Sequence, residues 1–79
     1  MFDEEYKKVL KKMFVDSGEY QFESENKAQR FIDKVLSIAE SQYSSEGYYH
    51  KYNDLKDFLY TDKVDGIAHF VFEGEYGDY

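Results

Sequence analysis

The stretch ENKAQRFIDKVLSIAESQY, residues 25–43, carries the strongest structural pattern in the chain. Its apolar residues recur every three or four positions over about five turns, the spacing of one buried face of an α-helix. They are Ala28, Phe31, Ile32, Val35, Ile38, Ala39 and Tyr43. Ser24 is a suitable N-cap, and Glu25 begins the first turn with the charge that the helix dipole favours. We expect this helix to form the backbone of the core.

A second amphipathic helix is predicted at the N-terminus, ending near residues 14 and 15. Three acids open the segment and four lysines follow, which is the order that the helix dipole favours. Its apolar positions share one helical stripe. They are Phe2, Tyr6, Val9, Leu10 and Met13. Gly18 is expected to end the helix in a left-handed conformation.

Two other segments show patterns typical of β-strands. In EYQFE, residues 19–23, Tyr20 and Phe22 alternate with polar residues, and IAHFVFEGEY, residues 67–76, is rich in β-branched and aromatic residues. A third helix is predicted from helical spacing over about residues 48–60, with a start as late as Asn53 as the alternative. Residues 62–66 are predicted to form a turn. A strand alone would leave its backbone groups unpaired, so we expect the two strands to pair.

The predicted order is therefore α-β-α-α-β. It describes a small α+β domain in which three helices pack on a short two-stranded sheet. The 79 residues suffice for one compact domain, residues 1–79, and residues 74–79 are expected to form a frayed acidic tail.

Composition limits the function classes. There is no cysteine, and no stretch approaches the roughly 20 apolar residues of a membrane helix. Asp3, Glu4 and Glu5 stand where a signal peptide would be basic. We therefore expect a soluble, cytoplasmic protein that does not bind a membrane. The net charge of −7 argues against direct binding to nucleic acid, because phosphate neutralisation needs clustered lysine and arginine.

The sequence shows no arrangement of residues typical of catalysis. His50 and His69 lack partners at metal-ligand spacing, and there is no glycine-rich phosphate loop. Asp54 and Asp57 lie on a predicted solvated helix face, while Glu73 and Glu75 lie among glycines near the chain end. We expect a non-enzymatic protein without cofactor or metal.

The negative charge is concentrated in two places. Residues 65–79 carry a net charge of −4, and a second acidic group surrounds residues 16–25. Pairing of the predicted strands would bring Glu19 and Glu23 close to Glu73 and Glu75, and like charges so placed reduce stability. A cationic partner would relieve this repulsion. Alternatively, the charges protect exposed strand edges from aggregation.

Tyrosine is the other unusual feature, with nine in the chain. Three tyrosines within residues 48–52 cannot all face the core of one short helix, and exposed tyrosine suits a protein interface. The alternative is that some of them cover a small core. The predicted partner-binding residues are Glu19, Glu23, Tyr48, Tyr49, Tyr52, Glu73, Glu75, Tyr76, Asp78 and Tyr79.

In length, net charge and acidic segments at Glu19–Glu25 and Glu73–Tyr79, the chain resembles small phage-encoded inhibitors of host defence. This class includes anti-CRISPR proteins and DNA-mimicking inhibitors of restriction. The resemblance implies action in the host cytoplasm on a basic, nucleic-acid-handling protein, with carboxylates occupying the positions of phosphates. The alternative function is a homo-oligomeric structural or regulatory domain, such as a homodimer, with tyrosines at its symmetric interface.

Overall fold

The computed structural model describes residues 2–76, and the side chains of residues 4–74. Four α-helices follow one another along the chain: α1 (Phe2–Lys11), α2 (Glu25–Ser45), α3 (Leu55–Leu59) and α4 (Asp62–Tyr76). A π-helical turn, Lys12–Asp16, continues α1, and a 3₁₀ turn, Tyr48–His50, precedes α3. No described helix is both long enough and apolar enough to cross a membrane.

The prediction of an α+β fold is wrong, because residues 2–76 contain no β-strand. Residues 67–76 belong to α4, which begins at Asp62 where a turn was predicted. Buried Val64, Ile67, Ala68 and Val71 recur at helical spacing, while His69 and Phe70 between them are exposed. The run of apolar residues fitted a strand locally, but only a helix places these four on one buried face.

Residues 19–23 form an irregular segment instead of a strand. The predicted alternation of burial is nevertheless present: Tyr20 and Phe22 are half-buried, and the polar residues beside them are exposed. The Tyr20 amide donates to the Phe14 carbonyl at 3.0 Å, so it is satisfied without a sheet.

The helix predicted over residues 48–60 is also divided. The chain makes a 3₁₀ turn, passes through residues 51–54 without regular structure, and begins α3 at Leu55. Asp54 caps this short helix by accepting a hydrogen bond from the Asp57 amide at 2.9 Å. The Asp54–Asp57 pair therefore has a structural role at a helix start.

The predictions for α2 and for the end of the first helical segment are confirmed. Ser24 caps α2, its Oγ accepting from the Lys27 amide at 3.3 Å. Gly18 is left-handed, with φ +83°. Helix α2 lies at the centre of the core and contacts α1, α3 and α4. Its buried face consists of Ala28, Phe31, Ile32, Val35, Leu36 and Ala39.

Candidate functional site

The two acidic segments meet in the structure through aromatic packing. The ring of Tyr20 lies 4.7 Å from that of Phe72 in α4, and the ring of Phe22 lies 5.6 Å from Phe72. All three contact the buried ring of Phe31 in α2. This cluster holds residues 19–23 against α4 without backbone pairing.

The charges of three carboxylates act on Tyr20: Glu19 beside it in the chain, and Asp65 and Glu73 from α4. We call these three residues the acidic face. Burial raises the pKa of the Tyr20 hydroxyl above its usual 10.0, and the negative charges of Glu19, Asp65 and Glu73 raise it further. Asp65 and Glu73 are eight residues apart, about 12 Å along the helix axis. The acidic face therefore extends over roughly two turns of α4.

The two segments that form this face contain negatively charged residues but no positively charged ones. Residues 18–26 and 64–76 together contain six acids and no lysine or arginine. The rest of the chain has eleven acids against ten bases, so nearly all of the net charge belongs to the two segments that meet here. Glu23, at the margin, accepts a hydrogen bond from the Lys27 ammonium, which lowers the pKa of its carboxyl.

Of the predicted partner-binding acids, the structure thus brings Glu19 and Glu73 to one site. Glu75 and Tyr76 lie in the last turn of α4, and their side chains are outside the described part of the chain. Asp78 and Tyr79 lie outside the described residues altogether. Asp65 was missed by the sequence reasoning. Its relation to Glu73 becomes visible only when residues 62–76 are read as a helix.

Three of the predicted tyrosines, Tyr48, Tyr49 and Tyr52, belong to a different cluster around the buried ring of Phe58. Tyr48 stacks on Phe58 with ring centroids 5.0 Å apart, and Tyr52 lies 5.6 Å from the same ring. Tyr43 donates a hydrogen bond to the Tyr52 carbonyl at 3.0 Å. Tyr48 and Tyr52 are half-buried here, whereas Tyr49 is 54% exposed.

The two histidines lie at the surface. His50 ends the 3₁₀ turn, its ring 4.2 Å from that of Tyr49, and His69 lies on the exposed side of α4. Within the described part of the chain, no three histidine or acidic side chains converge as metal ligands.

Comparisons with protein-family models, curated proteins and solved structures found no match to this chain.

Proposed function

We propose that the chain is a non-enzymatic binding protein that engages a basic, nucleic-acid-handling partner through its acidic face. One observation carries the proposal. Two segments that together hold almost the whole net charge of the chain meet at Tyr20. The carboxylates of Glu19, Asp65 and Glu73 give a local negative potential there, which attracts and orients a cationic surface.

The packing beneath the charges supports a binding role. Phe72 holds the loop of residues 19–23 and the helix together, so the carboxylates of Glu19 and Glu73 are presented by a packed scaffold. Arginine and lysine side chains of a partner would form charge-assisted hydrogen bonds with these carboxylates.

The proposed mechanism is competition with nucleic acid. Carboxylates on the acidic face would occupy positions where the partner's cationic side chains otherwise bind phosphates. This is the mechanism implied by the resemblance to phage-encoded anti-CRISPR and anti-restriction inhibitors. We also propose that the protein acts in the cytoplasm, that of a host cell if it is phage-encoded, because such a partner handles nucleic acid there.

A charge-placement experiment tests the proposal. The probe is a fluorescein-labelled oligoarginine peptide, and its anisotropy is measured with the wild type and two triple variants. The first neutralises the acidic face with Glu19→Gln, Asp65→Asn and Glu73→Gln. The matched control neutralises three exposed acids elsewhere: Glu4→Gln, Glu40→Gln and Glu46→Gln. Both variants have the same net charge.

The acidic-face variant should bind the peptide about tenfold more weakly than the control, because three exposed ion pairs of a few tenths of a kcal/mol each are lost. A short DNA duplex should compete for the same peptide, and raised salt should weaken the complex. Equal affinity of the two variants would show that only overall charge matters and would contradict the proposal.

A second candidate function, homo-oligomerisation, is favoured by one exposed side chain. Phe70 in α4 is 71% exposed and borders a 420 Å³ depression with Ile38 and Ile67. The Phe70 ring of one copy could insert into the corresponding depression on a second copy of the chain. Sedimentation of the wild type, Phe70→Ser and Tyr49→Ser would distinguish the interfaces. A dimer lost only in Phe70→Ser would support this face, and one lost only in Tyr49→Ser would support the tyrosine cluster.

A further inference from the structure

A second surface, which shares no residue with the acidic face, is a groove between the first helical segment and the end of α3. The groove has a volume of about 710 Å³. Val9 and Met13, both half-buried, supply apolar lining, and Tyr60 borders it with 61% of its surface exposed. Tyr60 points outward beside fully buried Phe58 and Leu59, so the core does not account for its ring.

The charged side chains that line this groove are four lysines and two acids, Glu5 and Asp16, so its net charge is positive. Three of the lysines, Lys8, Lys11 and Lys12, are exposed. Within the described part of the chain, their ammonium groups have no acidic partner. The neighbouring lysines differ: Lys7 pairs with Asp33 at 3.2 Å, and Lys56 pairs with Glu5 at 2.9 Å.

The backbone of the groove is also unusual. Lys12 and Met13 belong to the π-helical turn, a rare conformation that is frequent at functional sites. The Met13 carbonyl is satisfied by the Ser17 hydroxyl, which donates to it at 2.7 Å. A side-chain hydrogen bond therefore supports the backbone of this turn.

We propose that this groove binds an acidic peptide segment that carries one apolar or aromatic anchor side chain. The anchor would lie against Val9, Met13 and Tyr60, where it buries apolar surface. Flanking carboxylates would meet the three unpaired lysines. The apolar lining favours a peptide over a phosphate backbone, which would leave that lining uncovered. The inference does not depend on the acidic face.

Two labelled peptides test the site. One consists of glutamates around a central phenylalanine, and in the other serine replaces the phenylalanine. The phenylalanine peptide should bind about tenfold more tightly, because only its anchor buries apolar surface. Tyr60→Ser should reduce this preference between the peptides, and the exposure of Tyr60 makes it a suitable position to change without loss of the fold.

The lysines are tested with two variants of equal charge. Lys8→Gln, Lys11→Gln and Lys12→Gln remove the groove charges, and the control carries Lys34→Gln, Lys51→Gln and Lys63→Gln. Only the groove variant should lose affinity for the phenylalanine peptide, by about tenfold. Circular dichroism establishes that both variants retain their helices.

Several results would overturn the proposal. Equal binding of the two peptides would exclude an anchor site, and equal binding by the two lysine variants would exclude the groove. Tighter lysine-dependent binding of a DNA oligonucleotide would assign the groove to nucleic acid. A dimer in sedimentation that the groove variant abolishes would assign it to a second copy of the chain.

Discussion

Replacement of glycine by alanine at two positions tests the helical assignment of residues 62–76. Gly66 is exposed within α4, and an added Cβ would meet no atom within 4 Å. Alanine there gains helix propensity of about 1 kcal/mol without a clash. Gly18 also has free space around an added Cβ, but its φ of +83° is unfavourable for alanine. The same substitution at Gly18 should therefore cost about 1 kcal/mol.

The two variants should shift the midpoint of thermal unfolding in opposite directions. For a domain of 79 residues, about 1 kcal/mol corresponds to a change in Tm of roughly 4–8 °C. We expect a rise of that size for Gly66→Ala and a fall for Gly18→Ala, measured by far-ultraviolet circular dichroism. A Gly66→Ala variant that is destabilised would refute the helix, since that is the outcome expected if residues 62–66 form a turn that depends on glycine.

Three further changes test other parts of the fold. Phe72→Ala should lower the free energy of unfolding, measured in urea, by about 2–3 kcal/mol. Phe70→Ala, at an exposed position of the same helix, should change it by less than about 0.5 kcal/mol. Similar losses in the two variants would contradict the assigned buried and exposed faces of α4. Ser24→Ala should cost about 1 kcal/mol through loss of the cap on α2, and an unchanged urea midpoint would argue against that cap. The folded pKa of Tyr20 is raised, so its contribution to stability is complete below its usual pKa of 10.0 and is lost as pH rises through the folded value. Tyr20→Phe should flatten this alkaline decline in a stability–pH profile, and an unaltered slope would contradict it.

Helix α2 could be predicted from sequence because its signals agree. The apolar stripe, the Ser24 cap and the acidic first turn all indicate the same element. Helix α4 could not be predicted with the same reasoning. Ile67 through Phe72 includes apolar residues on both sides of a strand pattern, and the helical pattern becomes clear only when Val64 is included with Ile67, Ala68 and Val71.

The sequence predicted that the two acidic segments lie close together, but the interaction expected to join them was wrong. Strand pairing was expected to bring Glu19 close to Glu73, whereas packing of Tyr20 on Phe72 brings the segments together. Contacts between a loop and a helix have no repeating sequence pattern, so sequence periodicity could not show them. The tertiary contact also adds Asp65, which lies eight residues before Glu73 and was not among the predicted partner-binding residues.

The basic groove had a sequence signal that was not used. Lys8, Lys11 and Lys12 have the spacing i, i+3 and i+4, which places three positive charges on one side of a helix. The order of acids and lysines also suits the helix dipole, so the spacing alone does not indicate a binding site. Their meeting with Tyr60 depends on the packing of α1 against α3, which the sequence did not predict.

Helix α4 carries Phe72 against Tyr20, and this contact joins the two acidic segments into one face. Nuclear Overhauser spectroscopy of the isotope-labelled protein can detect the contact. We predict contacts between the ring protons of Tyr20 and Phe72, together with sequential amide–amide contacts along residues 62–76. Backbone α-proton contacts between residues 19–23 and 67–73, as in paired strands, would contradict the account.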